Sequence, residues 1–198
     1  MTASVLALHK GLPVVTFEDI GAFEHWLEGQ SAASKGAWLR LGKKGSSLRT
    51  LSKAEAIDAA LCHGWIDGQL DRYDQESWLV RFTPRKPRSK WSAVNRARAL
   101  ELIDAKRMTE LGLAQIEAAK ADGRWESAYQ PASRSEVPPE LQAALDQSPK
   151  AAAFFATLKG ANRYAILYRI QTANKPEARA KRIAQFVAML ERGETIHG

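Results

Sequence analysis

Residues 64–95 read GWIDGQLDRYDQESWLVRFTPRKPRSKWSAVN and form the densest concentration of charge, aromatic surface and turn residues in the 198-residue chain. The first half of this stretch is acidic, and the second half is basic. Between Ser77 and Leu100 there is no acidic residue. Clustered charges mark functional sites only statistically, so the stretch predicts where a site lies and not which reaction it performs.

The same stretch predicts a β-hairpin. Residues 66–70 and 77–83 flank a run of turn residues, and apolar side chains alternate along the second segment as they do on a half-buried strand. Residues 37–41 (AWLRL) predict a third strand, and residues 12–17 (LPVVTF) a short edge strand. Three strands with one covered face are about the minimum for an independently stable sheet.

The pattern from Ser92 onward is almost entirely helical. Residues 130–139 (QPASRSEVPP) have the proline, serine and charge of a linker. We therefore predict an α+β fold, with a small antiparallel sheet and packed helices followed by an all-helical C-terminal part. The predicted domains are residues 1–130, which contain GWIDG and FTPRKPRSKWS, and residues 139–198.

The composition is that of an ordinary globular protein with a positive excess. Apolar residues make up 45% of the chain and charged residues 26%, and the net charge is +7 with a pI of about 9.6. Such an excess favours anionic partners, including nucleic acid, nucleotides and phosphorylated metabolites. A generic solubilising charge explains it equally well.

Cys62 is the only cysteine, so the chain has no disulfide partner within itself. It lies in an apolar helical run, which predicts a small buried side chain. The N-terminus lacks the pattern of a signal peptide, and no apolar run approaches the 20 or so residues that span a bilayer. We expect a cytoplasmic protein with no membrane span. The four histidines are scattered, and no metal or cofactor motif is found.

The basic half of residues 64–95 predicts an anion-binding segment. Pro84 and Pro87 restrict the backbone, so the charged side chains between and after them lose less entropy on binding. The segment leads into a helix start near Ser92, where free backbone N–H groups favour a phosphate or carboxylate. The predicted anion-binding residues are Arg81, Arg85, Lys86, Arg88, Ser89, Lys90, Trp91, Ser92 and Asn95.

A structural alternative stays open for these charges. The arginines would instead pair with the acidic turn at residues 67–76, and such an internal network needs no ligand. Three further residues are possible polar partners of a ligand, namely His63, Trp65 and Asp67. Each also has a structural interpretation: Asp67 suits a turn, Trp65 suits the core, and His63 suits the end of a helix.

Several strings of the sequence are similar to a known family. ALCHGWIDGQ (residues 60–69) and RFTPRKPRSKWSAVN (81–95) resemble the family described as bacteriocin-protection, YdeI or OmpD-associated. RMTELGLAQIEAAKADGRW (107–125), RYAILYRIQTA (163–173) and KRIAQFVAMLERGETIH (181–197) resemble the helical half of that family.

The resemblance runs from about Phe17 to His197. It implies a role in tolerance to bacteriocins or cationic antimicrobial peptides, and it brings no catalytic mechanism with it. The first functional hypothesis is therefore a non-enzymatic bacterial stress or bacteriocin-protection protein that binds an anionic ligand at residues 81–95.

Two other hypotheses stay open. A nucleic-acid-binding module would neutralise phosphates with the basic residues and stack Trp78 or Trp91 on bases. A small-molecule enzyme would use Asp67 as a base, with Arg85 and Arg88 holding an oxyanion or phosphate.

Overall fold

The computed structural model describes residues 7–31, 33–131, 134–173 and 175–197. These residues form five strands and eight helices and divide into two compact units. The first unit comprises Met1–Ser89 and Asn95–Trp125, and the second comprises Lys90–Val94 and Glu126–Gly198. Residues 132 and 133 of the predicted linker lie outside the described part, and the predicted domain boundaries stay a prediction.

The first unit contains one five-stranded sheet, and the α+β class is confirmed. The strand order is β1-β2-β3-β5-β4. The strands are β1 (Ala7–His9), β2 (Leu12–Val15), β3 (Ala37–Gly42), β4 (Trp65–Arg72) and β5 (Ser77–Pro84). The predicted hairpin is the β4–β5 pair, and residues 37–41 form most of β3.

The sheet differs from the predicted antiparallel one in a single pair. β2 and β3 run parallel, with Val14 opposite Trp38, so the sheet is mixed. The connection between them contains helix α1 (Ile20–Glu28). A crossover helix returns the chain to the same end of the sheet, and the following strand therefore runs parallel to the first. β2 also lies inside the sheet, because β1 forms the edge beside it.

One face of the sheet holds the main core of the first unit. Helix α1, through Phe23, and helix α2 (Lys53–Cys62) pack there against inward side chains of the strands, including Leu39 and Phe82. Helix α2 begins with a capping box, in which the Ser52 hydroxyl accepts from the Glu55 N–H and the Glu55 carboxylate accepts from the Ser52 N–H.

The opposite face of the sheet has its own smaller apolar cluster. Side chains alternate across a strand, so the neighbours of the core residues point the other way. This second cluster consists of Leu12, Val14, Trp38 and Leu79, each at most 9% exposed. The large aromatic ring on this face is therefore buried.

Gly64 connects the two sequence strings that dominate residues 64–95. Its φ of +73° lies in the left-handed region, and a Cβ there would stand 2.9 Å from the Leu111 carbonyl oxygen. Its own carbonyl accepts a hydrogen bond of 2.9 Å from the Arg85 N–H. This bond continues the β4–β5 pairing beyond Trp65 and Pro84, so both strings form one continuous element.

Helices α3 (Ala93–Asp104) and α4 (Glu110–Ala121) follow the sheet, and α4 lies against α2. The approach is closest at Gly112, where a Cβ would stand 2.3 Å from the Cys62 carbonyl oxygen. The same carbonyl accepts a 2.6 Å hydrogen bond from the Thr109 hydroxyl. A side chain at position 112 would therefore separate the two helices.

The second unit is helical in its described residues. A single apolar cluster that includes Leu141, Phe155, Ile166 and Leu190 lies between its helices. These helices are α5 (Pro139–Asp146), α6 (Pro149–Thr157), α7 (Gly160–Gln171) and α8 (Pro176–Glu191). None of the helices in the described part of the chain has the length and apolar character needed to cross a membrane.

We predict that Gly112→Ala destabilises the protein by about 1–3 kcal/mol, because the added methyl group forces α4 away from α2. The matched control is Gly21→Ala in α1, where the nearest atom to a Cβ is an Asp19 oxygen at 3.5 Å. Alanine is the better helix former, so the control is expected to be neutral or stabilising. Urea unfolding of both variants measures the difference, and equal stabilities would contradict the tight α2–α4 contact.

We also predict that the Cys62 thiol is unreactive in the folded protein. The residue is fully buried, and this burial raises the pKa of Cys62 to about 11. At pH 8 the thiolate is then about a hundredfold scarcer than for an ordinary cysteine. Labelling with 5,5′-dithiobis(2-nitrobenzoate) is expected to be at least about a hundredfold slower for the native chain than in guanidinium chloride. Equal rates would mean that Cys62 is accessible.

Candidate functional site

A cleft of about 860 Å³ opens in the first unit, on the side of the sheet that carries Trp38. Its walls come from the turn between β1 and β2, residues 33–35 ahead of β3, the first half of β4, and residues 81–87. β1 and β4 are opposite edges of the sheet, so the cleft lies where the two edges approach each other.

Positive charge dominates the lining of the cleft. The basic residues that line it are Lys10, Lys35, Arg81, Arg85 and Lys86. Among the described residues of the lining the one acidic side chain is Asp67, whose carboxylate is 4.0 Å from the Lys53 ammonium group. A recess lined by one sign of charge concentrates its field and raises the local concentration of ions of the opposite sign.

Arg81 is a cation of the cleft lining with a buried donor that has no partner among the described residues. It lies on β5 directly opposite Trp38 of β3, on the face away from the main core. Its Nε is inaccessible to solvent and has no hydrogen-bond partner, and no carboxylate of the described residues lies within 4 Å of its guanidinium group. A half-buried guanidinium group with unused donors is suited to bind an anion.

Trp38 contributes a second unused donor beside Arg81. The side chain is 1% exposed and lines the cleft, and its indole N–H has no acceptor among the described residues. The His9 ring meets it edge-on at 5.1 Å, and the Lys10 ammonium group lies 5.9 Å from the ring centre. A buried donor left without a partner costs about 1–3 kcal/mol, which an acceptor from a ligand would recover.

A bridge of three charged or polar residues holds the two edges of the sheet together. The Asp71 carboxylate of β4 contacts His9 Nε2 at 2.9 Å and Lys10 Nζ at 2.5 Å. The Lys10 hydrogen bond, followed by that of His9, lowers the pKa of Asp71 well below its usual range. Because these residues come from opposite edges, the contact requires a strongly curved sheet.

Two carboxylates of the acidic turn have partners outside the predicted anion-binding residues. The Asp74 carboxylate accepts hydrogen bonds of 2.7 Å from Arg40 and 2.6 Å from the Ser77 hydroxyl. These contacts lower the pKa of Asp74, and the Ser77 hydrogen bond has the largest effect. Glu76 accepts from the Ser47 hydroxyl at 3.1 Å. Within the described part of the chain, neither Arg81 nor Arg88 forms an ion pair with this turn.

The structure brings together four of the residues predicted from the sequence. Arg81, Arg85, Lys86 and Asp67 all line the cleft. Arg85 is only 7% exposed. The following residues form a tight turn, in which the Ser89 N–H donates to the Lys86 carbonyl and the Ser89 hydroxyl accepts from the Lys86 N–H.

The other predicted anion-binding residues lie elsewhere. Arg88 is exposed and does not line the cleft, and Asn95 belongs to helix α3. Three residues belong to the second unit, namely Lys90, Trp91 and Ser92. There the Lys90 ammonium group lies 5.1 Å from the Tyr168 ring centre, and burial lowers the pKa of Lys90.

Several predicted side chains are buried. His63 is 6% exposed, and burial lowers its pKa. Trp65 contacts Trp26 edge-on at 5.6 Å in the main core. Trp91 is also buried, and Trp78 packs against the main core. Trp91 is therefore not accessible for stacking on a nucleic-acid base, and Trp78 is only partly exposed.

Sequence analysis did not predict three residues that line the cleft, namely Lys10, Lys35 and Trp38. They come from segments far from residues 64–95 and are joined to them only by strand pairing. The sequence contained one signal for Trp38. The alternation of residues 37–41 places this large aromatic side chain on the face of the strand that is expected to meet solvent. A large aromatic side chain at such a position indicates a covered or ligand-binding face.

A metal centre is not indicated in the parts of the chain that the structure describes. No group of three or more His, Cys, Asp or Glu side chains there is placed to hold a metal ion. The polar side chains that line the cleft are cations, the Trp38 indole, the hydroxyls of Ser34 and Thr83, the Gln69 amide and one carboxylate.

Comparison with family models gives two matches, one in each half of the chain. Residues 15–115, just over half of the chain, match the model described as Domain of unknown function (DUF8412). The chain belongs to the DUF8412 family. The strands of the sheet from β3 to β5 and most of the cleft lie within this match.

Residues 134–193 match the model described as Bacteriocin-protection, YdeI or OmpD-Associated. This confirms the resemblance stated from the sequence and narrows it to the helices of the second unit. The GWIDG and FTPRKPRSKWS strings lie instead in the part matched by the DUF8412 model. Searches of curated proteins and of solved structures find no match.

We predict that the bridge at Asp71 stabilises the fold in a pH-dependent way. Because the folded-state pKa of Asp71 is lowered, its contribution is complete above the unfolded pKa of about 3.9 and is lost as the pH falls below that value. Asp71→Asn is therefore expected to destabilise the protein at pH 6–7. Below pH 4 the difference in stability between this variant and the natural chain is expected to shrink as the pH falls.

Urea unfolding at a series of pH values measures this effect. The control is Asp104→Asn, since Asp104 is exposed and forms no ion pair with any described residue. A stability difference for Asp71→Asn that stays constant from pH 7 to pH 2.5 would contradict the bridge.

Proposed function

We propose that the first unit binds an anionic small molecule in the cleft, with Arg81 as the principal contact of its anionic group. The observation that supports this proposal is a half-buried guanidinium group that lines a basic recess and has no carboxylate within ion-pair distance among the described residues. An arginine of this kind keeps its charge at any physiological pH and has five donors to offer.

The electrostatic surroundings favour an anion over a neutral ligand. Partial burial reduces screening by water, so hydrogen bonds from Arg81 to an ionised acceptor contribute about 1.5–3 kcal/mol each. Lys35 and Lys86 stand at the same recess and add long-range attraction. A neutral ligand would leave this charge without compensation.

We favour a small ligand over nucleic acid and binding over catalysis. Of the two tryptophans considered for base stacking, Trp78 packs against the main core and Trp91 is buried. The enzyme hypothesis needs Asp67, Arg85 and Arg88 in one site, and Arg88 does not line the cleft with the other two. A recess that holds mainly donors fits a binding protein.

In this proposal the protein is a cytoplasmic, non-enzymatic binding protein that acts in bacterial stress or bacteriocin protection. The match of residues 134–193 to the bacteriocin-protection, YdeI or OmpD-associated model supports that setting. The first unit would then supply ligand recognition. The predicted domains, residues 1–130 and 139–198, would divide these two roles.

We predict that a charged ligand raises the melting temperature where its neutral counterpart does not. Three pairs test this on the full chain: AMP and adenosine, glucose 6-phosphate and glucose, and benzoate and benzamide. Binding by a charged member is expected to weaken at least tenfold in Arg81→Gln, because one strong charge-assisted contact is worth a comparable factor. Isothermal titration measures the affinities.

The matched control is Arg72→Gln, which removes the same charge from an exposed site on β4 outside the cleft. Arg88→Gln shows whether the site extends to the turn at residues 86–89. Both variants are expected to bind as the natural chain does, and their melting temperatures without ligand check the fold. Equal affinity in Arg81→Gln and Arg72→Gln would overturn the proposal.

A further inference from the structure

The cleft is large compared with a simple inorganic anion. Its volume of about 860 Å³ is within the range of about 300–1,000 Å³ found for sites that hold organic ligands. A water molecule occupies about 30 Å³ in the liquid, and an inorganic phosphate only a few times that volume. Binding phosphate alone would leave most of the cleft filled with water.

The two residues that carry the unused donors are neighbours on the sheet. Arg81 and Trp38 are register partners on β5 and β3, so their Cβ atoms are about 4.5–5.5 Å apart and on the same face. A carboxylate has two oxygens and about four acceptor positions. One oxygen can accept from the Arg81 guanidinium group while the other accepts from the Trp38 N–H.

Apolar side chains line the cleft beside this pair of donors. Ile66 is opposite Thr83 in the β4–β5 ladder, two positions from Arg81 on the same face. Ile66 and Pro84 are half-buried and Pro87 is exposed, so all three offer apolar surface to a ligand. The charged contacts therefore cover only part of the wall.

From these observations we infer that the ligand is an amphipathic organic acid. Its carboxylate contacts Arg81 and the Trp38 N–H, and its apolar body lies against Ile66, Pro84 and Pro87. The inference rests on the proposed function, since it names the class of anion that the same cleft takes. Most of the affinity then comes from the apolar body of the ligand, and the selectivity for an acid comes from the Arg81 and Trp38 donors.

A series of straight-chain acids tests the inference on the full protein. Acetate, butyrate, hexanoate and octanoate are titrated by calorimetry, with 1-octanol and inorganic phosphate as comparisons. Each fully buried methylene is worth about fourfold in affinity, so octanoate is expected to bind at least a hundredfold more tightly than acetate. It is also expected to bind at least tenfold more tightly than 1-octanol.

Two variants measure separately the contributions of the carboxylate and of the apolar body of the ligand. Arg81→Gln is expected to weaken all four acids by the same factor and to leave 1-octanol unchanged. Ile66→Thr keeps a β-branched side chain for the strand but makes the wall polar. It is expected to reduce the gain per methylene and to leave acetate unchanged. Arg72→Gln is the control for charge, and circular dichroism checks the fold of each variant.

The outcomes distinguish this inference from the proposed function. If acetate, octanoate and phosphate bind equally and all weaken in Arg81→Gln, the anion site stands and the amphipathic ligand is wrong. If 1-octanol binds as tightly as octanoate and Arg81→Gln changes neither, the anion site itself is wrong. Absence of binding by the whole acid series would overturn the inference as well.

Discussion

The pairing of β4 with β5 is the constraint on which the cleft depends. Its register places Phe82 toward the main core and Arg81 toward the opposite face. A slip of one residue would exchange the two sets, burying a guanidinium group among aromatic rings. The Gly64–Arg85 hydrogen bond extends the pairing past the end of both strands. Only glycine fits at position 64, because φ is positive there and the Leu111 carbonyl leaves no room for a Cβ.

The structure leaves buried polar groups unsatisfied at the point where a ligand would meet them. Arg81 Nε and the Trp38 N–H are both removed from water and lack protein acceptors among the described residues. By contrast, the carboxylate of Asp71 is bound by His9 and by Lys10 of the cleft lining. The carboxylate of Asp74 is bound by Arg40, which lies outside the lining. These two carboxylates are therefore paired, whereas two donors of the cleft lining have no partner among the described residues. An acceptor in this position would gain a desolvated contact at little cost in entropy, because strand packing already fixes both side chains.

Much of the first unit could be predicted from local patterns, and the cleft only in part. Alternation located β3 and the β4–β5 hairpin, because each side of these strands faces a different environment. The parallel β2–β3 pair was not predicted, since it depends on how helix α1 crosses the sheet. Arg81, Arg85, Lys86 and Asp67 could be named because they are close in sequence. Lys10, Lys35 and Trp38 could not, because only long-range strand pairing brings them to the same place.

The central claim is that Arg81 and the Trp38 N–H receive the acid group of a ligand. Nuclear magnetic resonance of the ¹⁵N-labelled protein tests it directly, because each tryptophan contributes one indole N–H signal and Trp38→Phe assigns the relevant one. Titration with octanoate is expected to move the Trp38 indole signal and the Arg81 Nε signal together, with one shared saturation curve. Saturable shifts of backbone signals around the cleft with an unmoved Trp38 indole signal would contradict the account.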